Sequence, residues 1–211
     1  MSVIEELSQL LFPTRCYGCH AIGLSICSTC RREWHPHFYT THVQGIKVHS
    51  AIIYTPTASR IILAAKESGL KGADQLIVDA IVHVLEKANF DSYNVRLVPI
   101  PSSVPNRRRR GRSFIPEICK QISAITSIPV ISALTINRRV KDQSSLSAKA
   151  RLTNMRGAFS ISTNTYPRGD LILIDDVVTT GATVSEAARA LNSHGFHVLA
   201  SVTACLAQPL R

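Results

Sequence analysis

The sequence predicts an α/β fold: a mostly parallel sheet with flanking helices, preceded by a small N-terminal four-cysteine ribbon. Two observations carry this. After residue 46, short apolar runs of strand type alternate with stretches of helical period, the order of a parallel sheet wrapped by helices. Before it, Cys16, Cys19, Cys27 and Cys30 form two Cys-x2-Cys knuckles, a spacing that suits one metal ion. The expected division is 1–42 for a helix and the ribbon, and 43–211 for the α/β domain.

Taken in order, residues 3–12 place Val3, Ile4, Leu7, Leu10 and Leu11 at helical spacing, with Pro13 beyond the end. A His- and aromatic-rich loop is expected from 34 to 42, and a strand over 48–54. Residues 73–88 set Leu76, Ile77, Ala80, Ile81, Val84 and Leu85 on one helical face. Residues 95–101 read as a buried strand. Ser113 is a plausible N-cap for a helix carrying Ile118, Ile122 and Ile125. A second apolar run covers 130–136, and the polar, basic stretch 137–156 is a candidate mobile loop. Residues 171–178 read as a strand. A helix over 182–194 turns Val184, Ala187, Ala188 and Leu191 inward and ends at Gly195. Residues 197–206 close as a strand.

The chain has 211 residues, 45% of them hydrophobic, which excludes a disordered tail or spacer. No run approaches the ~20 apolar residues of a membrane span. The first residues lack the basic segment of a secretory signal, so a cytoplasmic location is expected. Lys and Arg number 24 against 14 Asp and Glu, a formal +10. Residues 96–156 hold 13 basic residues against two acidic ones, and so account for the whole excess. The densest part is Arg107, Arg108, Arg109, Arg110 and Arg112 around Gly111. Such a run reads either as a solvated face or as a surface for polyanions, nucleic acid or a phosphorylated small molecule.

Four thiolates make the closed tetrahedral shell of a structural zinc ion, and iron suits the same shell. Two disulfides fit poorly with a chain that carries no sign of export. A redox role needs one knuckle rather than two. His35 and His37 nearby read as exposed loop residues. Cys119 and Cys205 lie in apolar contexts and read as inert buried thiols.

The most specific segment joins the apolar run 171–174 to Asp175 and Asp176, then to Thr179, Thr180, Gly181, Ala182 and Thr183. Ligands of open α/β sheets bind at the carboxyl ends of strands. A helix N-terminus offers N–H groups and partial positive charge to a phosphate, and Gly181 allows close approach. Thr183 with Glu186 also fits a capping box. Two adjacent carboxylates are costly to bury without partners. At a strand end they can accept hydrogen bonds from sugar hydroxyls. If the strand continues through them, they point to opposite sides.

This segment resembles the phosphoribosyl pyrophosphate (PRPP) motif of type I phosphoribosyltransferases. The resemblance implies that Asp175 and Asp176 hold the ribose 2′- and 3′-hydroxyls, and that Thr179, Thr180, Gly181, Ala182 and Thr183 hold the 5′-phosphate. With the cysteine ribbon, nearly the full chain resembles the ComF family of late-competence proteins linked to DNA uptake. Leu97, Val98, Pro99, Ile100 and Pro101 followed by the arginines carry that likeness. So do Arg139, Gln143, Leu146, Arg151, Asn154, Gly157, Ala158 and Phe159, together with Tyr54 and Lys66. Arg112 and Ser113 intervene before Phe114 where the family often has an aromatic-Asn pair, and Val140 stands where Thr is frequent.

The family likeness implies a type I phosphoribosyltransferase-like fold with a zinc ribbon. PRPP or a related sugar phosphate or nucleotide would be the ligand, with magnesium accompanying PRPP. Arg107, Arg108, Arg109, Arg110, Arg112 and Arg139 would contact pyrophosphate or nucleic acid. It further implies single-stranded DNA and the uptake machinery as partners. If the protein is an enzyme, Asp175 and Asp176 serve pentosyl transfer to a base. A non-catalytic nucleotide sensor would use the same pocket.

Overall fold

The computed structural model describes residues 13–91, 94–102, 108, 110–136, 155–162 and 169–208. The helix expected over 3–12, the stretch 137–154, and Arg107, Arg109 and Arg139 lie outside the described residues.

The elements run α1 (Ser28–Glu33), β1 (Tyr39–Val43), β2 (Ile46–Ile53), α2 (Pro56–Lys66), α3 (Lys71–Ala88), β3 (Val95–Pro99), α4 (Phe114–Thr126), β4 (Leu134–Ile136), β5 (Phe159–Ile161), β6 (Asp170–Val178), α5 (Ala182–Asn192) and β7 (Val198–Leu206). A five-stranded sheet has the order β1-β2-β7-β6-β3. Its pairs are parallel except β1 with β2. The expected mostly parallel α/β architecture is therefore present. β4 and β5 form a separate antiparallel pair.

Helices cover both faces of the sheet. On one side α2, α3, α4 and the cysteine segment pack on Ile172, Ile174, Val202 and Ala204. On the other, α5 with β4 and β5 packs on Leu171, Leu173 and Val198. Leu171, Ile172, Leu173 and Ile174 are all fully buried, because a central parallel strand has no solvent face.

Four elements, α1, β1, α2 and β5, are additions to the sequence reading. α2 begins at Thr55, whose Oγ1 accepts from Ala58 N at 3.1 Å, with Pro56 in the first turn. β1 takes up the end of the expected loop and runs one residue past it. It joins β2 through Gln44 and Gly45, with φ of 47° and 83°, the pair of positive angles that a tight hairpin turn requires.

Three points of the sequence reading are refined. The run 130–136 is not one strand. Val130 bridges Leu97 alone, and only Leu134–Ile136 pairs further. Ile125 is 55% exposed although Ile118 and Ile122 are buried, because it sits in the last turn of α4, beyond the covering elements. Thr183 and Glu186 form no capping box: Gly181 is the N-cap of α5, and Glu186 turns inward to accept from Gly157 N at 2.8 Å.

One buried charge ties the helical side together. Asp74, 1% exposed in the first turn of α3, faces Arg112. Arg112 Nη1 lies 2.9 Å from Oδ2 and donates to Oδ1 at 3.2 Å. Its Nε lies 2.9 Å from Glu117 Oε2, and the guanidinium stands 5.2 Å from the Phe114 ring centroid. Removing one partner strands a buried carboxylate, at a cost of about 3 kcal/mol or more. Arg112→Leu is expected to lose stability on that scale in denaturant unfolding, and Asp74→Leu/Arg112→Leu to lose less.

Candidate functional site

β6 carries Asp175 and Asp176 to the carboxyl end of the sheet. The strand continues to Val178, so both lie within it, and Asp175 pairs with Thr203 of β7. The carboxylates nonetheless act on one another rather than standing apart. Asp176 N donates to Asp175 Oδ1 at 2.9 Å. Lys66, the last residue of α2, donates from Nζ to Asp176 Oδ2 at 2.7 Å.

Electrostatics divide the pair. Burial and the charge of Asp176 push the Asp175 carboxyl well above the usual carboxylate range. Burial also opposes ionisation of Asp176, but Lys66 outweighs it and holds that carboxyl below the usual range. Burial would discharge Lys66; Asp176 and then Asp175 keep it charged. Cys119 and Cys205 lie near the pair, and burial first, then the carboxylate charge, raises both thiols. They are neutral and buried, as the sequence indicated.

Beyond Val178 the chain turns through Thr179, Thr180 and Gly181 into α5. Gly181 has φ of 74°, and a Cβ there would run into buried Val43 of β1. Only glycine satisfies both constraints. Thr180 Oγ1 accepts from Ala182 N at 3.3 Å, while Ala182 and Thr183 open the helix. Two carboxylates with a cation, followed by a glycine turn and a helix N-terminus, can hold a sugar by its hydroxyls and a phosphate at the helix start.

Of the candidate arginines, Arg108 is exposed. Arg110 lies 2.7 Å from Glu67 with its side chain 6% exposed, and Arg112 is held by Asp74 and Glu117. These two therefore serve as internal counter-ions. A cleft of about 540 Å³ opens between the ribbon, at Arg15, Tyr17 and His20, and α2, at Arg60 and Leu63.

The four cysteine sulfurs lie within 4.8 Å of one another. Cys19 Sγ and Cys27 Sγ are 3.7 Å apart, far from the ~2 Å of a disulfide. That matches the ~3.8 Å edge of a tetrahedron with metal–sulfur bonds of ~2.3 Å. Local structure builds this shell. Cys16 N donates to Ala21 O at 2.9 Å in the first knuckle, and Cys27 caps α1, bringing Cys30 round by one turn. A Cβ on Gly18 would fall 2.7 Å from Cys30 Sγ. Burial opposes the Cys16 thiolate, but N–H groups of Cys27, Cys19 and Gly18 more than offset it and lower Cys16 to about 6. The four can hold a metal ion. His35 and His37 are exposed and outside the cluster.

No family model matches the chain. Competence protein F of Haemophilus influenzae is 36% identical over 104 residues, 47% of this chain and 44% of that protein. DNA utilization protein YhgH of Escherichia coli K12 is 34% identical over 101 residues, with the same two shares. The chain is a homologue of these proteins. It spans a little under half of the length of these curated relatives. Among solved structures, an adenine phosphoribosyltransferase is 14% identical with a TM-score of 0.48, covering 87% of this chain and 92% of that one. The Saccharomyces cerevisiae adenine phosphoribosyltransferase is 17% identical with a TM-score of 0.44, covering 86% and 89%.

Lys66 is the site residue for which residue-level reading found no role. It entered only through the ComF likeness, and its partner lies 110 residues away. Glu67 and Asp74 gave no signal beyond being acidic.

Cys16, Cys30 and Trp34 share one core with α2 and α3, and Trp34 Nε1 donates to Leu76 O at 3.2 Å. Loss of a bound metal should therefore loosen more than the ribbon. A strong chelator, or Cys19→Ser, is expected to lower the melting temperature by several degrees. An unchanged melt with chelator present would contradict a metal centre.

Proposed function

We propose that this protein binds PRPP or a related sugar phosphate, and serves DNA uptake or utilisation as its relatives' names suggest. The observation that carries the reading is the acidic pair Asp175 and Asp176, held by Lys66, immediately ahead of the Gly181 turn and the start of α5. In this reading Asp175 and Asp176 accept hydrogen bonds from the ribose 2′- and 3′-hydroxyls. The N–H groups and hydroxyls of residues 179–183 receive the 5′-phosphate. Magnesium would accompany PRPP and neutralise part of the pyrophosphate charge. Pentosyl transfer, if a base is supplied, rests on positioning and on these carboxylates beside a positively charged ribose-like state. No nucleophilic side chain is needed.

The cysteine ribbon is read as a structural zinc site. The 3.7 Å sulfur spacing and the sulfur-only donor set support this.

Single-stranded DNA is the second ligand. The support is the +11 of residues 96–156, which exceeds what one pyrophosphate requires, and the exposed Arg108. With Arg110 and Arg112 paired internally, the outward cations of that stretch bear the load.

Calorimetric titration of the full chain separates the two. PRPP with magnesium should bind wild type, and Asp175→Asn/Asp176→Asn should weaken it at least about tenfold. Binding of a single-stranded oligonucleotide should be little changed by that variant and should weaken as salt rises. No binding of PRPP at millimolar ligand would overturn the sugar-phosphate reading, and salt-insensitive or absent oligonucleotide binding would overturn the DNA reading.

A further inference from the structure

The C-terminal end of α2 places two consecutive charges against two parts of the site. Lys66 grips Asp176 at 2.7 Å, and Glu67 grips Arg110 at 2.7 Å. The Lys66 side chain is 22% exposed and Asp176 8%, so the cation reaches from the rim onto a carboxylate that water scarcely touches. The charged and titratable groups around it are few. Asp175 is adjacent on β6, Cys119 approaches from α4 and Cys205 from β7, and Arg110 acts on Lys66 from the other side. Arg110 is already occupied by Glu67. The two thiols are neutral. Lys66 is thus the one cation paired directly with the acidic pair among the described residues.

Burial and the charge of Asp176 favour a proton on Asp175 even beside Lys66; without the cation, Asp176 would share that proton. A pair in that state can satisfy itself internally and has less need of a donor from a ligand. With Lys66 on Oδ2 of Asp176, the pair keeps acceptor capacity that must be met from outside. A ribose offers two adjacent hydroxyl donors. A 2-deoxyribose offers one, and leaves an acceptor desolvated and unmet.

We propose that Lys66 is a positioning residue that makes this pocket select ribose over 2-deoxyribose phosphates, by holding Asp176 as an acceptor for the sugar diol. The proposal rests on the sugar-phosphate reading above. It also has a consequence for a DNA-handling protein: a deoxyribose phosphate from a DNA end is kept out of the pocket.

The test titrates ribose 5-phosphate, 2-deoxyribose 5-phosphate and inorganic phosphate into the full chain, as wild type, Lys66→Met and Lys66→Arg. Wild type should prefer ribose 5-phosphate by about tenfold or more. Lys66→Met should bring that ratio close to one while holding inorganic phosphate within about twofold of wild type, because the turn at 179–183 is untouched. Lys66→Arg should retain most of the preference. If Lys66→Met does not fold, Lys66→Gln replaces it with the same expectations. A variant without the cation that still binds phosphate and keeps the wild-type preference overturns the proposal. Wild type binding ribose and deoxyribose phosphates equally also overturns it. Wild type binding none of the three ligands overturns instead the sugar-phosphate reading beneath it.

Discussion

A carboxylate pair at the end of a buried strand is the constraint around which this molecule is arranged. Asp175 and Asp176 follow four fully buried apolar residues, and Asp176, itself buried, needs a counter-charge there. Lys66 supplies it from α2, an element whose own start is secured by Thr55 and Pro56. The same helix end holds Arg110 through Glu67, and Arg112 is drawn to Asp74 four residues into α3. A charged layer thus joins α2 and α3 to the arginine run beside the sheet. Each charge in it meets an opposite one, Arg112 meeting both Asp74 and Glu117, so it costs less than an unmatched charge would.

The glycine turn beyond the pair depends on packing instead. Gly181 has no room for a side chain because Val43 of the edge hairpin fills the space. β1 therefore supports the turn from which α5 starts, although it contributes no polar group to it. The ribbon plays a comparable part on the opposite face. Trp34, Cys16 and Cys30 lie in one core with α2. Arg60 of α2 donates from Nε to Gly18 O within the first knuckle. A metal held there would steady the helix that carries Lys66.

The sequence made local order legible and long-range pairing opaque. β6 and β7 could be read because strands buried on both faces show unbroken apolar runs. α3 and α5 showed the helical period clearly. β1 was missed because an edge strand buries only part of itself, and its exposed Thr40 and His42 read as loop. α2 was passed over although Thr55 and Pro56 announce its start. The acidic pair and the glycine turn were visible as a contiguous motif. Their cation was not, since nothing local marks Lys66 for a residue 110 positions away. For the same reason the arginine run looked uniform. Only the fold distinguishes Arg110 and Arg112, which face carboxylates 43 and 38 residues earlier, from exposed Arg108.

The central claim is that the acidic pair and the turn at 179–183 form one sugar-phosphate pocket. An experimental structure of the protein with PRPP and magnesium tests it most directly. The account predicts both ribose hydroxyls within hydrogen-bond distance of the Asp175 and Asp176 carboxylates, with the 5′-phosphate against the first turn of α5. A sugar phosphate lodged elsewhere, in the cleft beside the ribbon for example, with the Lys66 and Asp176 pair left undisturbed, would contradict it.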